Sequence, residues 1–291
     1  MEDQRTSVQL KQIPLSPFDR FCRFILEAPR RFRTSEKYKS FGYNILTLLV
    51  FLMVWSLVSW LMESPFFPGP IMIIKAFGDL CLNGDIEGVK MGMHVFQSLV
   101  RIFGGFATAC LLGIPLGLLM GLYGQIYDST KGVIEPIRFI PPVAWIPLVI
   151  VLLVGYFRFV FIIWLGAFFP IFIGTLLSVR GVNPIHIEVP KSFGATRLFI
   201  VRNIILPSVL PEVLTSMRVG LGIAWECIMA AEMIGGERVG IGIMILKYAQ
   251  LIRMEYIIVG IIVIGLIGFF LNEIFIFVEK RIFRWKEVVS I

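Results

Sequence analysis

Histidine is nearly absent from this chain: two stand among 291 residues, His94 and His186. No HExxH or other pair of imidazoles at ligand spacing is present to hold a metal. The four cysteines, Cys22, Cys81, Cys110 and Cys227, are scattered without a CxxC pair. Neither a zinc site nor a disulfide framework is indicated, and they read as small apolar side chains. Also missing are a GxxxxGK[ST] loop to cradle nucleotide phosphates and the GxSxG elbow of a serine hydrolase. His94 and Ser98 lie one helical turn apart, but no acid is placed to complete a catalytic set. No catalytic residue, cofactor site or metal site is assigned. Charge is scarce too, at 16% of residues against 57% apolar and a mean hydropathy of +0.85, which is too apolar for a water-soluble globule. The net charge of +7 is not arranged as a stripe. Its basic residues cluster at the ends of apolar runs, the pattern of a bilayer protein, so nucleic acid is not a partner.

What is present is a series of long apolar runs. Residues 44–62, with Trp55 and Trp60 toward the far end, are long enough to cross about 30 Å of hydrocarbon. Residues 63–93 are mixed, with Pro65, Pro68 and Pro70, and read as an outside re-entry loop followed by an amphipathic helix. The second span is 94–122, where Gly113, Gly117 and Gly121 fall four apart and smooth one face for another helix. An amphipathic return over 128–142 ends in Pro141 and Pro142, which break any helix. Residues 143–157, apolar around Pro147, predict a short, kinked third span of the kind that borders a cavity. The fourth is 159–178, the fifth 208 to about 234, the sixth 255–278.

Six spans with the amino terminus inside leave 19 Lys and Arg on the inner side and six in the outer loops. This asymmetry predicts a multi-pass protein of the cell membrane with both termini cytoplasmic. Residues 1–43 form a basic cytoplasmic extension. There Phe18, Phe21, Phe24 and Ile25 recur at helical spacing, which fits either a helix among anionic headgroups or a disordered basic tail.

One polar stretch is built differently. Residues 188–207, EVPKSFGATRLFIVRNIILP, interleave Phe193, Leu198, Ile200 and Val201 with Lys191, Arg197 and Arg202, a mixture that neither spans a bilayer nor is fully solvated. Pro190 has no N–H to give and Glu188 favours the positive end of a helix dipole, so a short helix is expected to begin near residue 189. Glu188 is followed six residues later by Gly194 and, after nine intervening residues, by Ile204, Leu206 and Pro207. This spacing resembles the EAA loop of ABC importer permeases, with Val189 and Pro190 in place of its two alanines.

The resemblance runs from about residue 67 to the carboxyl end. His94 with SLVRIFGGF (98–106), GIPLGLLMG (113–121), RFIPPVAWIPL (138–148), LPSVLPEV (206–213), MRVGLGIAWECIMAAE (217–232) and RIFRW (281–285) together look like the branch serving sulfonate, taurine, nitrate and bicarbonate importers. Asn272 stands where that branch often has an aspartate. The resemblance implies an all-α polytopic membrane protein of six transmembrane helices, with residues 44–291 as the permease domain and a cytoplasmic coupling loop at about 184–207. Its coupling helix would run from 188 to about 203, with Glu188, Gly194, Ile204, Leu206 and Pro207 as coupling residues. It further implies a second copy of the chain, two copies of a separate ABC ATPase subunit, an extracytoplasmic substrate-binding protein, a small anion as solute and transport by alternating access. The chain is then a transport subunit and not an enzyme.

Ionisable groups inside spans must face protein or water. His94, Ser98 and Arg101 stack at i, i+4 and i+7 on the second span. On the fifth, Glu212 and Glu226 share nearly one face, as do Arg218 and Glu232. Arg101, Arg218 and Glu226 are candidates for lining the pathway; the alternative is that the two arginines pair with carboxylates or helix ends and hold the bundle together. Counted from Ser208, Arg218 lies about 15 Å into the bilayer, near its midplane. The rival readings are a secondary transporter using buried glutamates as proton relays, which inverted repeats would favour, and an ABC permease for a different small solute.

Overall fold

A computed structural model describes the backbone of residues 33–283 and the side chains of residues 43–283. The expected headgroup helix around Phe18 lies outside the described residues. The chain divides into two units, Met1–Val58 and Ser59–Ile291. The first is carried by helix α1, Arg33–Met62, which passes without a break through the boundary expected at residue 43. Tyr43–Met62 is long and apolar enough to cross a membrane.

The second unit holds α2 (Pro70–Leu82), α3 (Met91–Leu122), α4 (Gly124–Arg138), α5 (Ile146–Leu152), α6 (Tyr156–Arg180), α7 (Ile185–Ser192), α8 (Arg197–Ile200), α9 (Leu206–Ile234), α10 (Ile241–Gln250) and α11 (Met254–Ile282). Its centre is the pair α3 and α6, and the glycine stripe explains why. A Cβ on Gly113 would lie 3.2 Å from Ile171, one on Gly117 2.7 Å from the Phe172 carbonyl oxygen, and one on Gly121 2.6 Å from Val179. The stripe begins earlier than the sequence reading had it, with Gly105 against Ile163 at 2.5 Å and Ala109 fully buried. Small residues at every fourth position let the two backbones touch, which replaces the hydrophobic drive that lipid cannot supply. Gly117→Val is therefore expected to cost about 1–3 kcal/mol through overpacking, read as a lower yield of folded, detergent-stable protein; an unchanged yield and melting temperature would remove this contact from the account.

The contacts Gly105–Ile163, Gly113–Ile171 and Gly121–Val179 advance together along both helices, so α3 and α6 run parallel. The chain must then return between them. Tyr156, at the start of α6, donates its hydroxyl to the Val100 carbonyl at 3.1 Å, so the return from Leu122 covers roughly 30 Å along the axis at 1.5 Å per residue. Helices α4 and α5 make it, bent by 82° at the break between them. Pro141 and Pro142 end α4 as expected, but residues 143–157 do not form one kinked helix. A 3-10 turn, Pro142–Trp145, leads into α5, and Pro147 stands in the first turn of α5. There the missing N–H costs nothing and the fixed φ starts a helix instead of kinking one. Among the described residues five helices are long and apolar enough to cross a membrane, or six when the bent pair is taken as one span.

Helix α9 runs antiparallel to α6, with Gly166 against Cys227 at 2.7 Å and Gly220 against Ile171 at 2.9 Å. It begins before Ser208, because Arg197–Ile234 is continuous through a π-helical turn at Val201–Ile205. Pro207 cannot donate back into that turn, and a widened turn accommodates its ring. Helix α10, in what reads as an outer loop, buries Ile241, Ile243, Met244 and Tyr248.

Candidate functional site

At one end of the second unit, α7 and α8 cover the ends of α3, α6 and the start of α9. Helix α7 begins at Ile185, not near 189, because Pro184 and not Pro190 stands at its start. Pro190 falls in its last turn, where its carbonyl becomes useful. The Ala195 N–H donates to it at 3.0 Å and the Gly194 N–H donates to Lys191 O at 2.9 Å, the paired bonds of a Schellman cap. Such a cap needs a left-handed residue, and Gly194 has φ of +80°. The expected single helix from 188 to about 203 is therefore two: the chain turns at Phe193–Ala195 and restarts at Thr196, whose hydroxyl accepts from the Phe199 N–H at 3.3 Å, an N-cap.

One side of this pair is anchored. Ile200 and Ile205 are buried with Val179, Val209 and Val213, and Ile187, Ala195 and Ile204 pack against them. The other side is open, with Phe193 87% and Leu198 76% exposed beside exposed Glu188 and Lys191. Arg197 stacks over the Tyr123 ring, 4.5 Å from its centroid. Of the motif residues, Glu188 and Gly194 thus face outward, Ile204 faces the core, and Leu206 and Pro207 open α9. A cleft of about 520 Å³ lies alongside, lined by polar groups that include Ser178, Asn183, His186 and Glu212.

The opposite end holds a buried polar network that brings His94, Ser98 and Arg101 together on one face of α3. Glu232 is fully buried, and its carboxylate accepts from Arg101 Nη1 at 2.8 Å, from Ser98 Oγ at 2.7 Å and from the Gly242 N–H at 3.0 Å. Arg101 also donates to Val239 O at 2.8 Å, its guanidinium lying 4.3 Å from the Phe159 ring centroid. Ser98 Oγ accepts the Ile241 N–H at 3.1 Å, and His94 bonds Gly240. Gly240 has no room for a side chain, since a Cβ would lie 2.5 Å from the Glu232 carboxyl carbon. His94 Nε2 lies 3.3 Å from Asp85, which Lys247 approaches to 3.7 Å, and Lys247 also pairs with Glu87 at 2.9 Å. Asp85 was not singled out in the sequence. In the turn 83–89 its carboxylate accepts the Glu87 and Val89 N–H groups. Nearby, the Asn83 amide and then the Tyr256 hydroxyl hold the Asp79 carboxyl below its ordinary range.

The remaining candidates lie on α9. Arg218 is about one-third exposed and 3.7 Å from Glu279 of α11, beside a cavity of about 80 Å³ that Asn272 also lines. It is not at mid-height: the neighbouring Ser216 packs against Gly174, in the last two turns of α6, toward the α7 end. Glu226 is. It adjoins Cys227, which packs on Gly166 near the middle of α6. Glu226 is exposed and makes no hydrogen bond or ion pair among the described residues.

A bundle whose exposed flanks are apolar, with buried ion pairs at one end and an amphipathic helical cap at the other, defines a polytopic membrane protein of the transporter type. A family model described as the binding-protein-dependent transport system inner membrane component matches residues 113–284, and the chain belongs to that family, the membrane permeases of ABC importers. A protein of Methanocaldococcus jannaschii named as an ABC transporter permease is 39% identical over 194 residues, covering 66% of this chain and 73% of its own length. The taurine transport system permease of Escherichia coli K12 is 32% identical over 250 residues, 85% and 90% of the two chains. A nitrate import permease of Synechocystis is 31% identical over 242 residues, 81% and 86%. The chain is an inner-membrane, multi-pass transport subunit.

Proposed function

We propose that this permease imports a small anion, working as two copies with two copies of a separate ABC ATPase and an extracytoplasmic binding protein. The observation that carries the reading is the α7–α8 cap, anchored on one side by Ile187 and Ile200 and presenting Phe193 and Leu198 on the other. Large apolar side chains held beside charges at a bundle end form a docking surface for a soluble partner. Its occupant is the ATPase, with Glu188 and Gly194 in the contact and Ile204, Leu206 and Pro207 joining the cap to α9. Any movement of the cap passes directly into α9 through the continuous Arg197–Ile234 helix. The α7 end and both termini are cytoplasmic, and six crossings result when α4 and α5 count as one. Arg101 holds the outer end together through Glu232, and Arg218 ties α9 to α11 through Glu279.

The test is reconstitution in proteoliposomes of the permease, its ATPase and its binding protein. Uptake of taurine or nitrate is expected only with all three and internal ATP; uptake without the ATPase contradicts the reading. Orientation has its own check. A cysteine replacing Lys191 is expected to stay unlabelled by an impermeant reagent outside intact cells, and labelling there would invert the topology.

A further inference from the structure

We infer that the solute carries a cationic centre, such as the ammonium of a zwitterionic aminosulfonate, and that the Glu226 carboxylate receives it midway along the pathway. This rests on the small-anion importer reading and narrows it. The exposed face of α9 is Ser208, Glu212, Val219, Gly222 and Glu226, with Thr215 half-buried between them; their spacing of four and three keeps them on one side of a helix. The exposed faces of the neighbouring spans are of another kind, carrying Phe103 and Leu111 on α3 and Phe269, Phe270 and Ile274 on α11. Those suit acyl chains. A face bearing carboxylates does not, so it turns to protein or to water. Gly222 has nothing of its own chain within 4 Å of where a Cβ would sit, so no side chain of this copy fills the position beside Glu226, one turn away.

The charge at that level is negative. Arg101 and Arg218, the arginines singled out as pathway candidates, are each neutralised by a carboxylate, Arg101 by buried Glu232 and Arg218 by Glu279. Glu226 is left at mid-height without a paired cation among the described residues. In a confined, weakly screened passage a carboxylate repels a plain anion and attracts an ammonium. An anion that also bears an ammonium can pass this point; nitrate or an amine-free sulfonate meets repulsion.

The experiment uses the complete complex in proteoliposomes and compares labelled taurine, ethanesulfonate and nitrate. Glu226→Gln is expected to lower taurine uptake about tenfold while ethanesulfonate and nitrate hold or rise. Glu226→Asp is expected to keep most taurine uptake, and both variants to co-purify with the ATPase. Unchanged taurine uptake in Glu226→Gln, or an equal fall for all three solutes, overturns the inference. So does a wild-type complex that passes ethanesulfonate or nitrate but not taurine. A wild-type complex that passes none of the three contradicts the small-anion reading itself, and the inference falls with it.

Discussion

Replacing Arg101 with alanine is expected to cost about 3–5 kcal/mol, the largest stability loss of any single change considered for this chain. The alanine leaves Glu232 fully buried with its charge uncompensated, and neither Ser98 nor the Gly242 N–H replaces a guanidinium. It also frees the Val239 carbonyl. The consequence is local before it is global, because Glu232 ties α9 to α3 and to the start of α10. Purified Arg101→Ala protein is expected to melt well below the wild type, with enhanced proteolysis between residues 235 and 250. Arg101→Lys retains a charge but loses the planar guanidinium that lies over Phe159 and places one Nη1 to donate to both Glu232 and Val239, so it falls between the two. Wild-type melting in Arg101→Ala, with transport alone lost, would show that this arginine serves the pathway after all.

Gly194→Val is the second change with a large expected effect, and its cause is conformational. Nothing lies within 4 Å of a Cβ at Gly194, so the chain itself leaves room for a side chain. A β-branched residue at φ of +80° is nonetheless strained by about 1–3 kcal/mol, enough to open the Schellman cap and release α7 from its angle to α8. The permease is expected to fold and insert, while its affinity for the ATPase drops about tenfold or more, as 1.4 kcal/mol per tenfold requires. Gly194→Asn, which tolerates the left-handed region, is expected to keep most of that affinity. If asparagine were as damaging as valine, contact with the partner and not backbone shape would be the reason for glycine.

These two sites show what a sequence discloses and what it hides. The face made by His94, Ser98 and Arg101 was legible because helical periodicity is local. Its partner Glu232 was not, since it lies 131 residues from Arg101 and was grouped with Arg218 by the same periodicity. Arg218 in fact reaches Glu279 on another helix. The glycine stripe was legible for the same local reason, whereas the parallel run of α3 and α6 appears only once Ile163, Ile171 and Val179 are seen to meet it. Proline misled twice. Pro190 was expected to open a helix but falls in the last turn of α7, which Pro184 had already started, and Pro147 was expected to kink a span but stands in the first turn of α5. The motif from Glu188 to Pro207 marked the right segment, yet its division into two helices depends on bonds from Gly194 and Ala195 back to Lys191 and Pro190.

The claim on which the rest depends is that the α7–α8 cap docks the ATPase. Phe193 is the most exposed large apolar side chain there, and the direct measurement is disulfide or short-linker cross-linking from Phe193→Cys in the assembled complex, with the exposed cysteine Cys81 of the other end replaced by serine. The account predicts a permease–ATPase cross-link that forms in high yield and changes in yield when ATP is bound. A cross-link absent from Phe193 and from a second cysteine at Leu198, in a complex that still transports, would contradict it.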